Sequence, residues 1–133
     1  MDILQDSILI IDDEPGNRAS LRFALEQADC LVAEAADDAE ALSILTARAF
    51  DIVLLDLCMP HAGGFAILDH LRRIRSTSTV VLINAAAVIA DLRETMHIEA
   101  HDFVPKPFCA EEVVARTQRA LRSREDAHVC ARA

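Results

Sequence analysis

Glycine and proline are scarce, three and four in 133 residues, and they form no runs. That excludes collagen-like and low-complexity chains, and a hydrophobic content of 53% argues against disorder. Cysteine lacks pattern: Cys30, Cys58, Cys109 and Cys130 contain no CxxC pair, and with five scattered histidines they offer no zinc spacing. No secretory signal peptide is recognisable, so reduced thiols and a cytoplasmic location are expected, with disulfide pairing as the alternative. Long apolar runs are missing too. The longest are strand-sized, and no membrane partner is expected. Nor is there a cationic excess: 13 Lys and Arg against 22 Asp and Glu give a net charge of −9. Direct nucleic-acid binding is therefore not expected, and metal ions or basic protein faces are the favoured partners. Neither GxxxxGK[ST] nor GxGxxG occurs, which removes the common nucleotide-binding loops.

What is present is an alternation of short apolar runs with longer amphipathic stretches. Ser7–Ile11, Leu31–Ala35, Ile52–Leu55, Val80–Ile83 and the shorter Asp102–Val104 read as strands. The first, third and fourth are apolar on both faces, as strands of a helix-covered parallel sheet should be. Asp37 reads as an N-cap, with Ala41, Leu42 and Leu45 on one helical face behind it. Ile67, Leu68, Leu71 and Ile74 make a second core stripe, Ile89, Leu92 and Met96 a third, and Val113, Val114, Thr117 and Leu121 a last. Five β-then-α units imply a doubly wound α/β sandwich of (βα)5 type, one domain over residues 6–124. Residues 125–133 have weak periodicity and read as a tail or the start of a linker.

Right-handed crossovers bring the C-terminal ends of all parallel strands to one edge, where ligands bind in such folds. Strand one runs into Asp12, Asp13 and Glu14, and strand three into Asp56. Strand four ends at Asn84 and Ala85, and strand five at Pro105, Lys106 and Pro107. Any one of these acids could simply cap the next helix. As a set they are harder to dismiss. Two unit charges about 4 Å apart repel by roughly 4 kcal/mol at an effective dielectric near 20. Such a cluster persists by raising a pKa or by recruiting a cation. With oxygen donors only, Mg²⁺ is the natural cation, and Lys106 supplies a second positive charge. A carboxylate flanked by both is suited to attack phosphorus and become an acyl phosphate, with backbone N–H groups completing the cradle.

The acidic pair in IIDDE, the block VLLDLCMPHAGG around Asp56 and the KPF at 106–108 together resemble the receiver domains of two-component response regulators. The resemblance covers roughly residues 6–124 and includes Gly64, eight after Asp56. It implies a flavodoxin-like sheet of strand order 2-1-3-4-5, with strand five at an edge. Asp56 is then the phosphoacceptor, and Mg²⁺ is held by Asp13, Asp56 and the Cys58 carbonyl, with Asp12 acting through water. Lys106, Asn84, Ala85 and Cys58 line the phosphoryl group, and Asn84 with Phe103 forms the switch. The Lys106–Pro107 peptide is expected to be cis. Implied partners are a sensor histidine kinase or histidine phosphotransfer protein, and output runs through a homodimer or a downstream effector domain. The face formed by the last two helices and strand five would carry it. The chain is then not an enzyme in the ordinary sense, but a phosphoacceptor that catalyses its own phosphotransfer and dephosphorylation.

Several positions depart from that family. Asn84 stands where Thr or Ser is usual, which is expected to alter coupling to Phe103 while phosphate binding persists. Cys58 and Ala86 occupy positions that often orient the hydrolytic water, and neither side chain is a good hydrogen-bond partner, so slow dephosphorylation is expected. Glu99 replaces a common Gly, and His61 and His101 read as loop residues. A phosphate-independent interaction domain is the alternative, resting on Asn84 and Glu99 alone. An aspartate-based phosphohydrolase is a weaker one, because Asp56-Leu57-Cys58 lacks the second Asp that would serve as acid.

Overall fold

In the computed structural model the described residues are 5–60, 63–85 and 100–132. Strands β1 (Ser7–Ile11), β2 (Leu31–Ala35), β3 (Ile52–Asp56), β4 (Thr79–Ala85) and β5 (Asp102–Lys106) form one sheet of order β2-β1-β3-β4-β5. Every pairing is parallel. Helices α1 (Pro15–Gln27), α2 (Asp38–Ala47), α3 (Gly63–Arg73) and α4 (Ala110–Arg132) cover the two faces. The doubly wound sandwich and the position of β5 at an edge are as the sequence implies.

The layering follows from period-two alternation along strands that are apolar at every position. Ile8 and Ile10 of β1 and Ile52 and Leu54 of β3 share one buried cluster with Leu21 and Leu25 of α1 and Val113, Ala120 and Leu121 of α4. Leu9, Ile11, Val53 and Leu55 point the other way, onto Ala41 and Leu45 of α2 and Ile67 and Leu71 of α3. Each fully buried Ile or Leu contributes about 1.5–3 kcal/mol. Asp37 caps α2 as expected, its carboxylate accepting the Glu40 N–H at 2.8 Å.

Three strand ends differ from expectation. The ladder continues through Asp56, through Asn84 and Ala85, and through Pro105 and Lys106. Backbone pairing does not need apolar side chains, so hydropathy stops short of where the ladder stops. Pro105 has no N–H to donate, which an edge strand tolerates. Ile74 is a correction: it is 52% exposed rather than core. Helix α3 ends at Arg73, Arg75 adopts a left-handed φ of 52°, and the Ser76 N–H bonds back to the Leu71 carbonyl. The chain turns away before Ile74 can face the sheet. Helix α4 has helical backbone through Arg132, past the expected boundary at residue 125. The stripe of Ile89, Leu92 and Met96 lies outside the described residues, as do His61, Ala86 and Glu99.

Gly64 of α3 packs closely against the Leu57 loop beside Asp56. A Cβ there would lie 2.8 Å from Leu57 Cδ2 and 3.2 Å from Leu57 Cα. Gly64→Val should therefore destabilise the domain by about 1–3 kcal/mol, the usual scale of overpacking, read by urea denaturation. An unchanged midpoint would show that the Leu57 loop yields freely.

Candidate functional site

The acidic edge assembles as the strand ends predict. One carboxylate oxygen from each of Asp12, Asp13 and Asp56 lies within 4.8 Å of the others. Asp12 and Asp56 are each 1% exposed, while Asp13 is open to solvent. β1 and β3 are adjacent, with Ile11 opposite Leu55, so the residues that follow them meet without any long side-chain reach. Lys106 arrives from the far edge strand, two strands away, and its Nζ donates to Asp56 Oδ2 at 2.7 Å. The other oxygen, Oδ1, accepts the Cys58 N–H at 2.8 Å.

Asp12 is held differently. Its Oδ1 accepts the Glu14 N–H at 2.9 Å, and its Oδ2 accepts the Asn17 side-chain amide at 3.4 Å. Burial raises the Asp12 carboxyl above its ordinary pKa and the Asp56 charge adds to this, against the Glu14 N–H, Lys106 and Asn17. Burial alone would lower Lys106, but its bond to Asp56 and the surrounding negative charge prevail and raise it. The Lys106 ammonium is thus held in its charged form.

A consequence for stability follows from Asp12. A carboxyl raised in the folded state binds its proton more tightly than in the unfolded chain. Its unfavourable contribution is therefore absent below the ordinary carboxylate range and complete above the raised folded value. Through this group alone, the metal-free protein gains stability as pH falls through that window. Asp12→Asn should remove this slope and stabilise the metal-free domain at pH 7 by about 1 kcal/mol, as measured by urea midpoints across pH. A variant that is less stable than wild type and equally pH-dependent would contradict the assignment.

The remaining expected residues are also placed. Asn84, 5% exposed, lies at the end of β4. The Cys58 thiol donates to Asn84 Oδ1 at 2.8 Å. The contact is that of a weak donor, as a thiol is, directed at an amide oxygen. Ala85 pairs in the ladder with Lys106. Phe103 is 7% exposed and sits in the cluster under α2 and α3. The Lys106–Pro107 peptide is cis. His101 is exposed, and its backbone N–H bonds to the Val80 carbonyl. Asn17 and Arg18, which contact Asp12, were not anticipated. Their only signal is their position one turn into the helix that follows the acidic pair.

The donor set suits a hard divalent ion. Three oxygen ligands converge, two on nearly buried groups whose mutual repulsion an ion would relieve, and no soft ligand side chain joins that triad. An acidic cluster of this composition fits the Mg²⁺ site typical of receiver domains.

Comparison with known proteins agrees with this geometry. The family model described as "Response regulator receiver domain" matches residues 8–118. A probable transcriptional regulator, ycf27 of Cyanophora paradoxa, is 33% identical over 126 residues, covering 95% of this chain and 52% of that protein. Response regulator MprA of Mycobacterium sp. strain KMS is 32% identical over 115 residues, 86% of this chain and 50% of its own length. The chain thus spans about half the length of the curated relatives it matches. Among solved structures, chemotaxis response regulator CheY4 of Vibrio cholerae superposes with a TM-score of 0.80 at 24% identity, covering 88% of this chain and 99% of that one. The receiver domain of NtrX from Brucella abortus gives 0.77 at 29% identity, covering 86% and 98%. No helix among the described residues is long and apolar enough to cross a membrane.

Proposed function

From the premise that this chain belongs to the response-regulator receiver-domain family, we propose that it is a phosphorylation-controlled module whose acceptor is Asp56. The observation that carries this reading is the pairing of one nearly buried carboxylate with Lys106 on one oxygen and a backbone N–H on the other, beside two further acids. Asp13, Asp56 and the Cys58 carbonyl would hold Mg²⁺, with Asp12 behind them. A bound Mg²⁺ supplies positive charge that offsets the phosphoryl oxygens as they approach the acids.

The chain's own residues do the rest. An Asp56 carboxylate oxygen forms the new P–O bond while the P–N bond to a phosphohistidine of the donor breaks. The electron pair leaves with the imidazole nitrogen. Lys106, already charged and 2.7 Å from Asp56, transfers its hydrogen bond to a phosphoryl oxygen. The Asn84 amide and the Ala85 backbone N–H would serve as further donors to the same group. Rearrangement of Asn84 and Phe103 carries the change to β5 and α4, where a homodimer partner or effector domain reads it. With its thiol given to Asn84, Cys58 is poorly placed to orient a hydrolytic water, so the phosphoaspartate persists. The donor is a sensor histidine kinase or a histidine phosphotransfer protein. No observation among the described residues favours a phosphate-independent domain.

Beryllofluoride with Mg²⁺ tests this directly. Amide chemical-shift changes are expected to centre on Asp56, Asn84 and Lys106 and extend to Phe103. A spectrum identical with and without the mimic would reject the proposal.

A further inference from the structure

The acidic turn is braced from behind by a chain of ion pairs that no functional role has yet absorbed. Arg18, one turn into α1, donates from Nη1 to the Asp12 backbone carbonyl at 2.7 Å. Its Nε faces Glu34 Oε1 of β2 at 3.3 Å, and the other oxygen of Glu34 is taken by Arg22. Arg22 is tied in turn to the Val32 carbonyl and to Glu26. On its other side the Asp12 N–H donates to the Ala35 carbonyl at 3.1 Å. Both backbone groups of Asp12 are therefore anchored, one to β2 directly and one through Arg18 and Glu34. The Arg18 side chain is largely enclosed, at 17% exposure.

The Asp12 carbonyl lies in the rigid peptide plane that also contains the Asp13 nitrogen. Fixing that oxygen fixes the direction in which Asp13 leaves, and so whether two adjacent acids converge on Asp56 or splay apart under their own repulsion. We propose that Arg18, held by Glu34, is a positioning residue for divalent-cation binding, setting the Asp12–Asp13 peptide so that the carboxylates converge. Glu34 has a second effect. By occupying one edge of the guanidinium it keeps Arg18 on the carbonyl and away from the carboxylates, where the side chain would compete with the cation. The two charges cancel, so the brace orders the turn without altering the site's net charge.

This inference rests on the metal-binding part of the proposed function, and its test separates the two. Mg²⁺ titration of the full chain, followed by backbone amide shifts, would compare wild type with Arg18→Ala and Glu34→Gln. Hydrogen exchange at the Asp12 and Glu14 amides would be read without metal. Arg18→Ala should weaken Mg²⁺ binding about tenfold, as loss of a group supporting metal ligands does, with a smaller effect in the same direction for Glu34→Gln. Exchange at both amides should quicken in the metal-free variants, and phosphorylation by acetyl phosphate should recover to within about threefold at saturating Mg²⁺. Mg²⁺ affinity within about twofold of wild type in both variants would overturn the proposal. So would a phosphorylation loss that saturating Mg²⁺ does not restore, since that is the mark of a merely structural role. Should Arg18→Ala not fold, Glu34→Gln decides alone by the same criteria. If wild type shows no Mg²⁺-dependent shifts, the metal-binding reading fails instead. Unchanged metal-free exchange would then overturn the brace as well, and quickened exchange would uphold its action on the turn.

Discussion

Asp56→Asn is expected to abolish covalent phosphorylation by acetyl phosphate in the presence of Mg²⁺, a fall of at least about 10³-fold in rate by intact-mass measurement. The size of the effect follows from how the three acids are occupied. Asp12 has both oxygens engaged by donors of its own turn, Glu14 N–H and Asn17. Asp13 is exposed and lacks an ammonium at bonding distance among the described residues. Only Asp56 has a charged donor on one oxygen and a backbone donor on the other, so the charge that builds on an attached phosphoryl group is met only there. An amide keeps the shape and the acceptor oxygen toward Cys58 but is not a nucleophile. A phosphoryl adduct at the wild-type level in this variant would place the acceptor elsewhere.

Lys106→Ala should destabilise the metal-free domain by about 2–3 kcal/mol, with part of the loss recovered when Mg²⁺ is added. Removing one partner of a buried pair commonly costs about 3–5 kcal/mol, because the other charge is left uncompensated. The lower figure applies because the lysine side chain is 28% exposed and water can enter the space it leaves, although Asp56 itself is 1% exposed. Mg²⁺ binding to the folded state alone adds stability by mass action and supplies the missing positive charge. Urea denaturation with and without the ion measures both effects. Equal stability of variant and wild type without metal would mean that the ion pair carries no weight in the fold. A metal-independent deficit would mean that Lys106 acts on packing rather than on charge.

These expectations rest on a site much of which is legible in the chain as written. Runs such as Ile8–Ile11 and Ile52–Leu55 are apolar at every position, which a strand tolerates only when both faces are covered. That requirement leads to helices on both sides, parallel strands and a shared C-terminal edge; the strand order that the family resemblance implies then makes neighbours of Asp12, Asp13, Asp56 and Lys106, the last two 50 positions apart. Ile74 misled because helical spacing identifies a face but not where the helix stops. Arg75 ends it through a left-handed backbone that no residue type there announces. The contact between the Cys58 thiol and the Asn84 oxygen was not legible, because β4 brings together two residues 26 positions apart.

Fold class, strand order by way of the family resemblance, and the identity of the acidic and basic groups were determined by the sequence itself. They depend on hydrophobic periodicity and on residues adjacent to strand ends, both local properties of the chain. Only the tertiary structure decided how those groups are used: which oxygen of Asp56 faces Lys106, that Asp12 is nearly buried, and that Arg18 and Glu34 reach the acidic turn from behind. Those relations join side chains from different strands and helices. Their distances are set by the packing of the sheet against α1 and by the pairing of β1 with β2 and β3, which no stretch of sequence contains by itself.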